Sequence, residues 1–237
     1  MKSSCERKRS GFTLVELLVV IVIIAALAAL SFTVLPRMLR KARATEAMSN
    51  LRQFGPLLTT YATEHSMTLP AIKGEVTLPD GTKDELQWTE VCLSVLSPDT
   101  AVTEFRSKQW WEKTKPFVRN PLYKQWTPMI PGFALNEMLA VNIESAKGNV
   151  VTETLSLPIS YASITEPNRT PLIAPYNNFY YRFDSGVTLN GFKTTPLKDL
   201  LMEDKLSILF VDGHVESVTP NEYVSRELFL MPRVTEN

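Results

Sequence analysis

The chain has 237 residues, of which 25 are basic and 25 acidic, so no excess of charge points to nucleic acid or another polyanion as a partner. The charge is uneven, because residues 1–11 carry four basic side chains against one glutamate. A short basic head on a mildly acidic body is typical of a targeting segment. Cys5 lies in this head, and Cys92 is expected to be a small buried hydrophobe rather than a nucleophile.

An apolar segment over residues 12–35 follows the basic head, with Glu16 as its one ionisable residue and neither Gly nor Pro. Its 24 residues exceed the roughly 20 that a helix needs to cross a bilayer. They also exceed the roughly 7–15 residues of a secretory signal core. The sequence therefore predicts a membrane helix. A carboxylate in such a helix costs about 2.5–3.5 kcal/mol, so Glu16 is expected either to have a partner or to reach headgroup water near the helix end.

The residues around Glu16 read Arg-Ser-Gly-Phe-Thr-Leu-Val-Glu over positions 9–16. This stretch resembles the class III signal of type IV prepilins and type II secretion pseudopilins. In that family a basic leader ends in glycine, the mature chain starts with phenylalanine, and a glutamate stands at the fifth mature position. The resemblance makes Gly11 the last leader residue and Phe12 the first mature one. It implies that a prepilin peptidase cuts after Gly11 and methylates the new amine of Phe12.

The same resemblance implies that Glu16 pairs with the amino terminus of a neighbouring subunit during assembly. The physical logic is independent of the family, because an ammonium group neutralises a carboxylate that is costly when unpaired in an apolar medium. Such pairing is head-to-tail and suits an open helical filament. Charge does not decide the orientation, since four basic residues precede the helix and four follow it closely. The resemblance places the leader in the cytoplasm and the head in the periplasm, with one pass through the inner membrane.

The helix is predicted to continue beyond the membrane, with a kink at Pro36. An apolar stripe at spacings of three, four and three predicts packing on a globular head. The stripe consists of Leu51, Phe54, Leu58 and Tyr61. Gly55 and Pro56 interrupt it and are predicted to bend or break the helix. The basic run over residues 37–43 has two interpretations, contact with lipid headgroups or a solvated helix face.

From about residue 67 the sequence predicts short elements joined by turns, because prolines become frequent. A short helix is predicted over 86–96, and the tryptophans of this region are expected in the core rather than at a subunit interface. These are Trp88, Trp110, Trp111 and Trp126. Extended segments are predicted at 158–162, 171–174, 187–189 and from 179 onward. Asp212 and Gly213 are predicted as a two-residue hairpin turn between strands 206–211 and 214–218.

A narrower resemblance rests on three stretches, at residues 132–136, 166–171 and 208–216. They are similar to the pilin-like proteins abundant in planctomycetes, verrucomicrobia and lentisphaerae. The carboxy-terminal part of those proteins often carries a histidine, nine residues and then Asp-Gly. Met202 stands at the position of that histidine, so any role of the histidine does not carry over.

Chemistry-bearing residues are sparse, since His65 and His214 are the only histidines. Asp212, His214 and Glu216 are two residues apart and so are predicted on the same face of a strand. One hairpin nevertheless offers too few ligands for a closed zinc site. The sequence contains no Asp/Asn-rich loop of the kind that binds calcium. The sequence predicts no catalytic residues, no cofactor, no metal and no enzymatic activity.

The predicted fold class is α+β, a long amino-terminal helix packed on an antiparallel sheet head. The predicted segments are a leader at 1–11, a transmembrane half-helix at 12–35, an amphipathic half-helix at 36–66 and a globular head at 67–237. The predicted function is a structural subunit of a type IV pilus or type II secretion pseudopilus. Its partners would be other pilins or pseudopilins, the prepilin peptidase and the inner membrane, and not nucleic acid. The alternative is a membrane-anchored, adhesin-like binding head, which would be scarce where a major subunit is abundant.

Overall fold

A computed structural model describes residues 13–77, 81, 83–97, 100, 104, 116–128, 130–136, 139–142, 156–177, 180–181 and 197–228. The chain divides into two compact units, Met1–Ala42 and Arg43–Asn237. The architecture is α+β, as predicted: a long amino-terminal helix and a mainly antiparallel sheet in the carboxy-terminal part.

The helices and strands follow one another in a simple order. Helix α1 covers Leu14–Glu64 and α2 covers Trp88–Leu96, while α3 is a short helix at Pro220–Ser225. The strands are β1 Lys73–Thr77, β2 Lys83–Gln87, β3 Phe133–Asn136, β4 Ala140–Asn142, β5 Ser156–Pro158, β6 Pro171–Pro175, β7 Tyr180–Tyr181, β8 Leu206–Phe210 and β9 Val215–Val218. Short 3₁₀ turns lie at Pro116–Val118, Tyr161–Ser163 and Leu197–Leu200.

The main sheet has five strands in the order β7-β3-β6-β8-β9. Its β3/β6, β6/β8 and β8/β9 pairs are antiparallel, whereas β7 is parallel to β3. The parallel pair departs from the antiparallel sheet that the sequence predicts. The chain reverses direction after β6, so β7 runs antiparallel to β6. However, β7 pairs with β3 and not with β6, and because β3 is also antiparallel to β6, β7 and β3 are parallel. Two smaller ribbons, β1/β2 and β4/β5, complete the strand pairing of the described residues.

The core of the second unit forms around the apolar stripe of α1. Leu51, Phe54 and Leu58 are all completely buried, as the stripe predicts, and Tyr61 is half-buried. The Phe54 ring contacts three other aromatic rings at centroid distances of 5.3–5.8 Å. Those rings belong to Trp88, Phe117 and Phe133. One helical side chain therefore joins α1 to α2, to the 3₁₀ turn and to the sheet.

Of the bend or break predicted at Gly55 and Pro56, the break is wrong, because α1 continues through both residues to Glu64, while the bend stays a prediction. A proline inside a helix costs about 3 kcal/mol. Burial of the leucines on either side, Leu51 at 0% exposure and Leu57 at 5%, offsets that cost. The helix also continues through Pro36, where the kink stays a prediction.

Several shorter predictions fall on described residues. The helix predicted over 86–96 is α2, which begins at Trp88 because residue 86 lies in β2. Residues 171–174 lie in β6, but of the segment 158–162 only its first residue is in a strand. Trp88 and Trp126 are buried, as expected for core tryptophans. Trp110, Trp111 and the segment 187–189 lie outside the described residues.

Candidate functional site

Thr13 caps the amino terminus of α1 together with Glu16. The Thr13 backbone N–H and its hydroxyl both donate to Glu16 Oε2, each over 2.8 Å. In return the Glu16 N–H donates to Thr13 Oγ1 over 3.3 Å. The first helical bond then runs from Leu17 N to Thr13 O over 3.2 Å. This reciprocal pattern is a capping box, which satisfies backbone donors that have no partner inside the helix.

The capping box changes the physical account of Glu16. The sequence argument treats its carboxylate as unpaired within the single subunit, but one of its oxygens accepts two hydrogen bonds from Thr13. The carboxylate also lies at the positive end of the helix dipole, which favours negative charge. The functional reading of the sequence missed Thr13. The signal was present, since Thr-x-x-Glu before an apolar run is the sequence pattern of a capping box.

The helix behind the cap presents an apolar surface that no described residue buries. α1 is long and apolar enough to cross a membrane, and none of its most apolar 18-residue window is buried. Its large side chains are half or more exposed over most of the segment, from Leu14 at 80% to Phe32 at 82%. An unbroken apolar surface of this length is costly in water and favourable in lipid. Gly11 and Phe12, the predicted processing residues, lie outside the described residues.

The hairpin β8/β9 carries the second predicted site, Asp212 and Gly213. Gly213 N donates to Phe210 O over 3.0 Å, and Phe210 N donates to His214 O over 2.9 Å. These two bonds enclose three loop residues, so the two-residue turn predicted from the sequence is wrong. Gly213 has φ of +91°, which is the glycine position of a three-residue hairpin with a bulge. Asp212 therefore stands second in the loop, and its carboxylate accepts from His214 N over 3.1 Å.

A polar network covers the outer face of this hairpin. The His214 ring stacks on the ring of Phe210 at 4.3 Å between centroids and contacts Asp212 through Nδ1. His214 Nε2 lies 4.0 Å from Glu216 Oε2, and Arg226 Nη1 donates to Glu216 Oε1 over 2.7 Å. All of these charged groups are partly exposed. Surface pairs of this kind stabilise little, so the network adds little to the stability of the hairpin.

The same hairpin lies against α1 at Gly55. A Cβ built on Gly55 would be 3.6 Å from Gly213 Cα and 3.8 Å from Leu209 Cδ1. The helix backbone and the hairpin loop therefore approach each other at the two glycines. The sequence predicted that Gly55 interrupts the helix, whereas in the structure its lack of a side chain lets the helix pack closely on the sheet. No local signal identifies this contact, because the two residues are far apart in sequence.

Met202, which replaces the histidine of the narrower resemblance, begins a second tight turn. Met202 and Lys205 exchange both backbone hydrogen bonds, at 2.8 and 2.9 Å. Glu203 and Asp204 between them have φ of +52° and +59°. Two consecutive positive φ values are typical of a type I′ turn. The position therefore starts the turn that leads into β8.

The described residues offer little reactive chemistry. They contain no group of three or more His, Cys, Asp or Glu side chains that could hold a metal ion. Cys92 is completely buried, and burial raises the pKa of its thiol well above the usual range, so the thiolate is not formed at neutral pH. What the arrangement supports is a capped apolar helix and a packed head.

The comparisons with known proteins agree with the amino-terminal motif. A family model described as a prokaryotic N-terminal methylation motif matches residues 7–32. This match covers Gly11, Phe12, Thr13 and Glu16 and most of the apolar segment. No curated protein and no solved structure matches the chain significantly. The chain thus carries a prepilin-type N-terminal methylation motif at the start of a long apolar helix.

Proposed function

We propose that this protein is a structural subunit of a type IV pilus or type II secretion pseudopilus, cut after Gly11 by a prepilin peptidase and N-methylated at Phe12. One observation carries the proposal: the match at residues 7–32 coincides with a capped helix whose apolar window has no buried residue. An apolar helix surface that the described part of the chain leaves uncovered is stabilised by lipid or by other helices. A pilin subunit uses both in turn, lipid before assembly and neighbouring helices afterwards.

Glu16 is the assembly residue of this proposal. Its Oε2 is held by Thr13 at 2.8 Å, which fixes the carboxylate at the first turn of the helix. Phe12 immediately precedes Thr13, so in a neighbouring subunit the amine of Phe12 would stand at the same end of the helix. That amine could then pair with the Glu16 carboxylate of this subunit. A charged pair that forms only between correctly placed subunits sets their register. The carboxylate stays hydrogen-bonded until the pair forms, which lowers the cost of the unassembled state.

The remaining organisation is a consequence of this role. The leader at 1–11 would be cytoplasmic, residues 12–35 would cross the inner membrane, and residues 36–66 would connect to a periplasmic head at 67–237. The partners would be other pilins or pseudopilins and the prepilin peptidase, with no catalytic activity in the head. The narrower resemblance to planctomycete-type pilin-like proteins is a part of this proposal that rests on sequence alone.

The mature amino terminus tests the proposal. Mass spectrometry of the protein from its native membrane should find N-methyl-phenylalanine at position 12 and no residues 1–11. A Gly11→Leu variant should keep its leader, while Ser10→Ala, one residue away, should be processed normally. An intact Met1, or a cut within or beyond the apolar segment, would contradict the proposal. Both variants leave the head unchanged, so loss of processing could not be attributed to misfolding.

A binding head on the same anchor is a second proposal, favoured by one surface loop. The Asn120 N–H donates to Pro131 O over 2.8 Å, and its side chain donates to Gly132 O over 3.2 Å. These bonds hold the two ends of a loop close together at Asn120 and Pro131, and Lys124 between them is exposed. Loops whose ends are close are frequently functional. Subunit counting by quantitative mass spectrometry separates the two proposals. A major structural subunit should dominate purified filaments, and a binding subunit should be a minor component.

A further inference from the structure

A group of three cations lies just beyond the apolar part of α1. Arg37, Arg40 and Lys41 are all exposed, and their spacing of three and four residues places them on one side of the helix. No acidic residue occurs between Glu16 and Glu46, so this part of the helix carries a net positive charge. We propose that this collar of three cations binds the headgroups of anionic phospholipids in the leaflet from which the head emerges. The inference rests on the membrane insertion proposed above.

Helix length places the collar at headgroup depth. The apolar part of α1, residues 14–35, has a length of about 33 Å at 1.5 Å per residue. The hydrocarbon core of a bilayer is about 30 Å thick, with roughly 5–7 Å of headgroups on each side. If the capped end lies at one face of the hydrocarbon core, Arg37 to Lys41 stand about 5–11 Å beyond its other face. That range begins within the headgroup layer, and long basic side chains extend readily back toward the phosphate groups.

The position of the collar is unusual for a topological signal. Lys and Arg close to a membrane helix are concentrated on the cytoplasmic side. With the leader in the cytoplasm, this collar stands on the opposite side, where it opposes the proposed orientation. Removal of the leader would also leave the collar as the main basic group next to the helix. Topology therefore does not explain the cations on this side, whereas attraction to anionic headgroups does.

Lipid selectivity of the reconstituted protein tests the collar. The full chain is placed in phosphatidylcholine vesicles that contain trace spin-labelled phosphatidylglycerol or spin-labelled phosphatidylcholine, and electron paramagnetic resonance measures the motionally restricted fraction of each. We expect the relative association constant to favour phosphatidylglycerol about fivefold or more, the ratio set by one basic residue near an anionic lipid. The triple variant Arg37→Gln/Arg40→Gln/Lys41→Gln should lower the ratio to about one, the value without such an attraction.

A matched variant controls for net charge. Arg52, Lys124 and Lys198 are exposed cations of the other unit, and their replacement by Gln removes the same three charges. That control should keep the preference for phosphatidylglycerol, as should addition of inorganic phosphate, which lacks a lipid anchor. A wild-type ratio near one, or a ratio that the collar variant retains, would overturn the inference. Failure of the wild-type protein to float with neutral vesicles would instead overturn the membrane insertion on which it rests.

Discussion

Among the described residues, two helices begin with a Thr-x-x-Glu capping box, and the two boxes have different surroundings. Thr13 and Glu16 begin α1, whereas Thr219 and Glu222 begin α3, and the threonine N–H donates to the glutamate at 2.8 and 2.7 Å respectively. The return bonds measure 3.3 and 3.1 Å. The local hydrogen bonding is therefore nearly identical, because a capping box depends on residues three positions apart and on little else.

The side chains behind the two caps have different environments. Behind Glu222, Tyr223 is only 1% exposed, and its hydroxyl donates to Leu228 O over 3.1 Å. Behind Glu16 the apolar side chains remain exposed along the helix, with Phe32 at 82%. The α3 cap thus stabilises a helix whose side chain completes a core. The α1 cap holds a carboxylate at the start of a helix that needs lipid or other subunits. The same four-residue pattern serves stability in one place and, in our proposal, assembly in the other.

The largest effect should come from truncating the aromatic side chain behind each cap. Tyr223→Ala should lower the free energy of unfolding of the head by about 3–5 kcal/mol, as for other fully buried aromatic residues. Phe32→Ala, an aromatic truncation on the exposed part of α1, should leave it unchanged. Chemical denaturation followed by tryptophan fluorescence measures both. If Tyr223→Phe were as damaging as Tyr223→Ala, the hydrogen bond to Leu228 O rather than ring burial would be responsible.

Removal of the charge at each cap should separate assembly from stability. Glu16→Gln keeps an acceptor for Thr13 but removes the carboxylate, and we expect filament incorporation to fall roughly 60-fold, from loss of about 2.5 kcal/mol of pairing in an apolar medium. Glu222→Gln should be incorporated normally. Quantitative immunoblotting of sheared filaments gives both values. Normal incorporation of Glu16→Gln would contradict the proposal that the Glu16 carboxylate serves filament assembly.

Removal of the threonine hydroxyl should have a smaller effect, and only at the second cap. Thr219→Ala should lower the free energy of unfolding of the head by about 1 kcal/mol, the usual cost of losing a cap. Thr13→Ala removes the equivalent hydroxyl from a helix end outside that core, so the unfolding of the head should be unaffected. Thermal denaturation of the two variants beside the wild type provides the test. An equal loss in Thr13→Ala would show that the α1 cap also stabilises the head, and would contradict the contrast between the two caps.

The smallest effect is a pH dependence at Glu222. The Thr219 N–H, and after it the Thr219 hydroxyl, hold the pKa of the Glu222 carboxyl below its ordinary value. A group whose pKa is lower in the folded state contributes stability above its unfolded pKa and loses it as the pH falls through the folded pKa. The Tm difference between wild type and Glu222→Gln should therefore be constant near neutral pH and disappear in acid. A difference that grows in acid would have the wrong sign.

Much of the amino-terminal site could be predicted from the sequence. The length of the apolar run, the single Glu16 and the Thr-x-x-Glu pattern are local properties, and local hydrogen bonding places Glu16 on Thr13 wherever the helix lies. The buried face at Leu51, Phe54 and Leu58 was also predictable from helical spacing alone. The sequence therefore determined the capped apolar helix, the buried stripe of its second half and the α+β class.

Only the tertiary structure decided how these elements meet. α1 continues through Pro56 because burial on both sides of it offsets the lost backbone hydrogen bond. The hairpin loop has three residues rather than two because only Gly213, and not Asp212, has the positive φ that a type I′ two-residue turn requires at both positions. This loop contacts Gly55 of α1. β7 is parallel to β3 because it pairs with β3 at the edge of the sheet, although it follows β6 in the chain. These outcomes depend on contacts between residues distant in sequence, whose energies no local pattern contains.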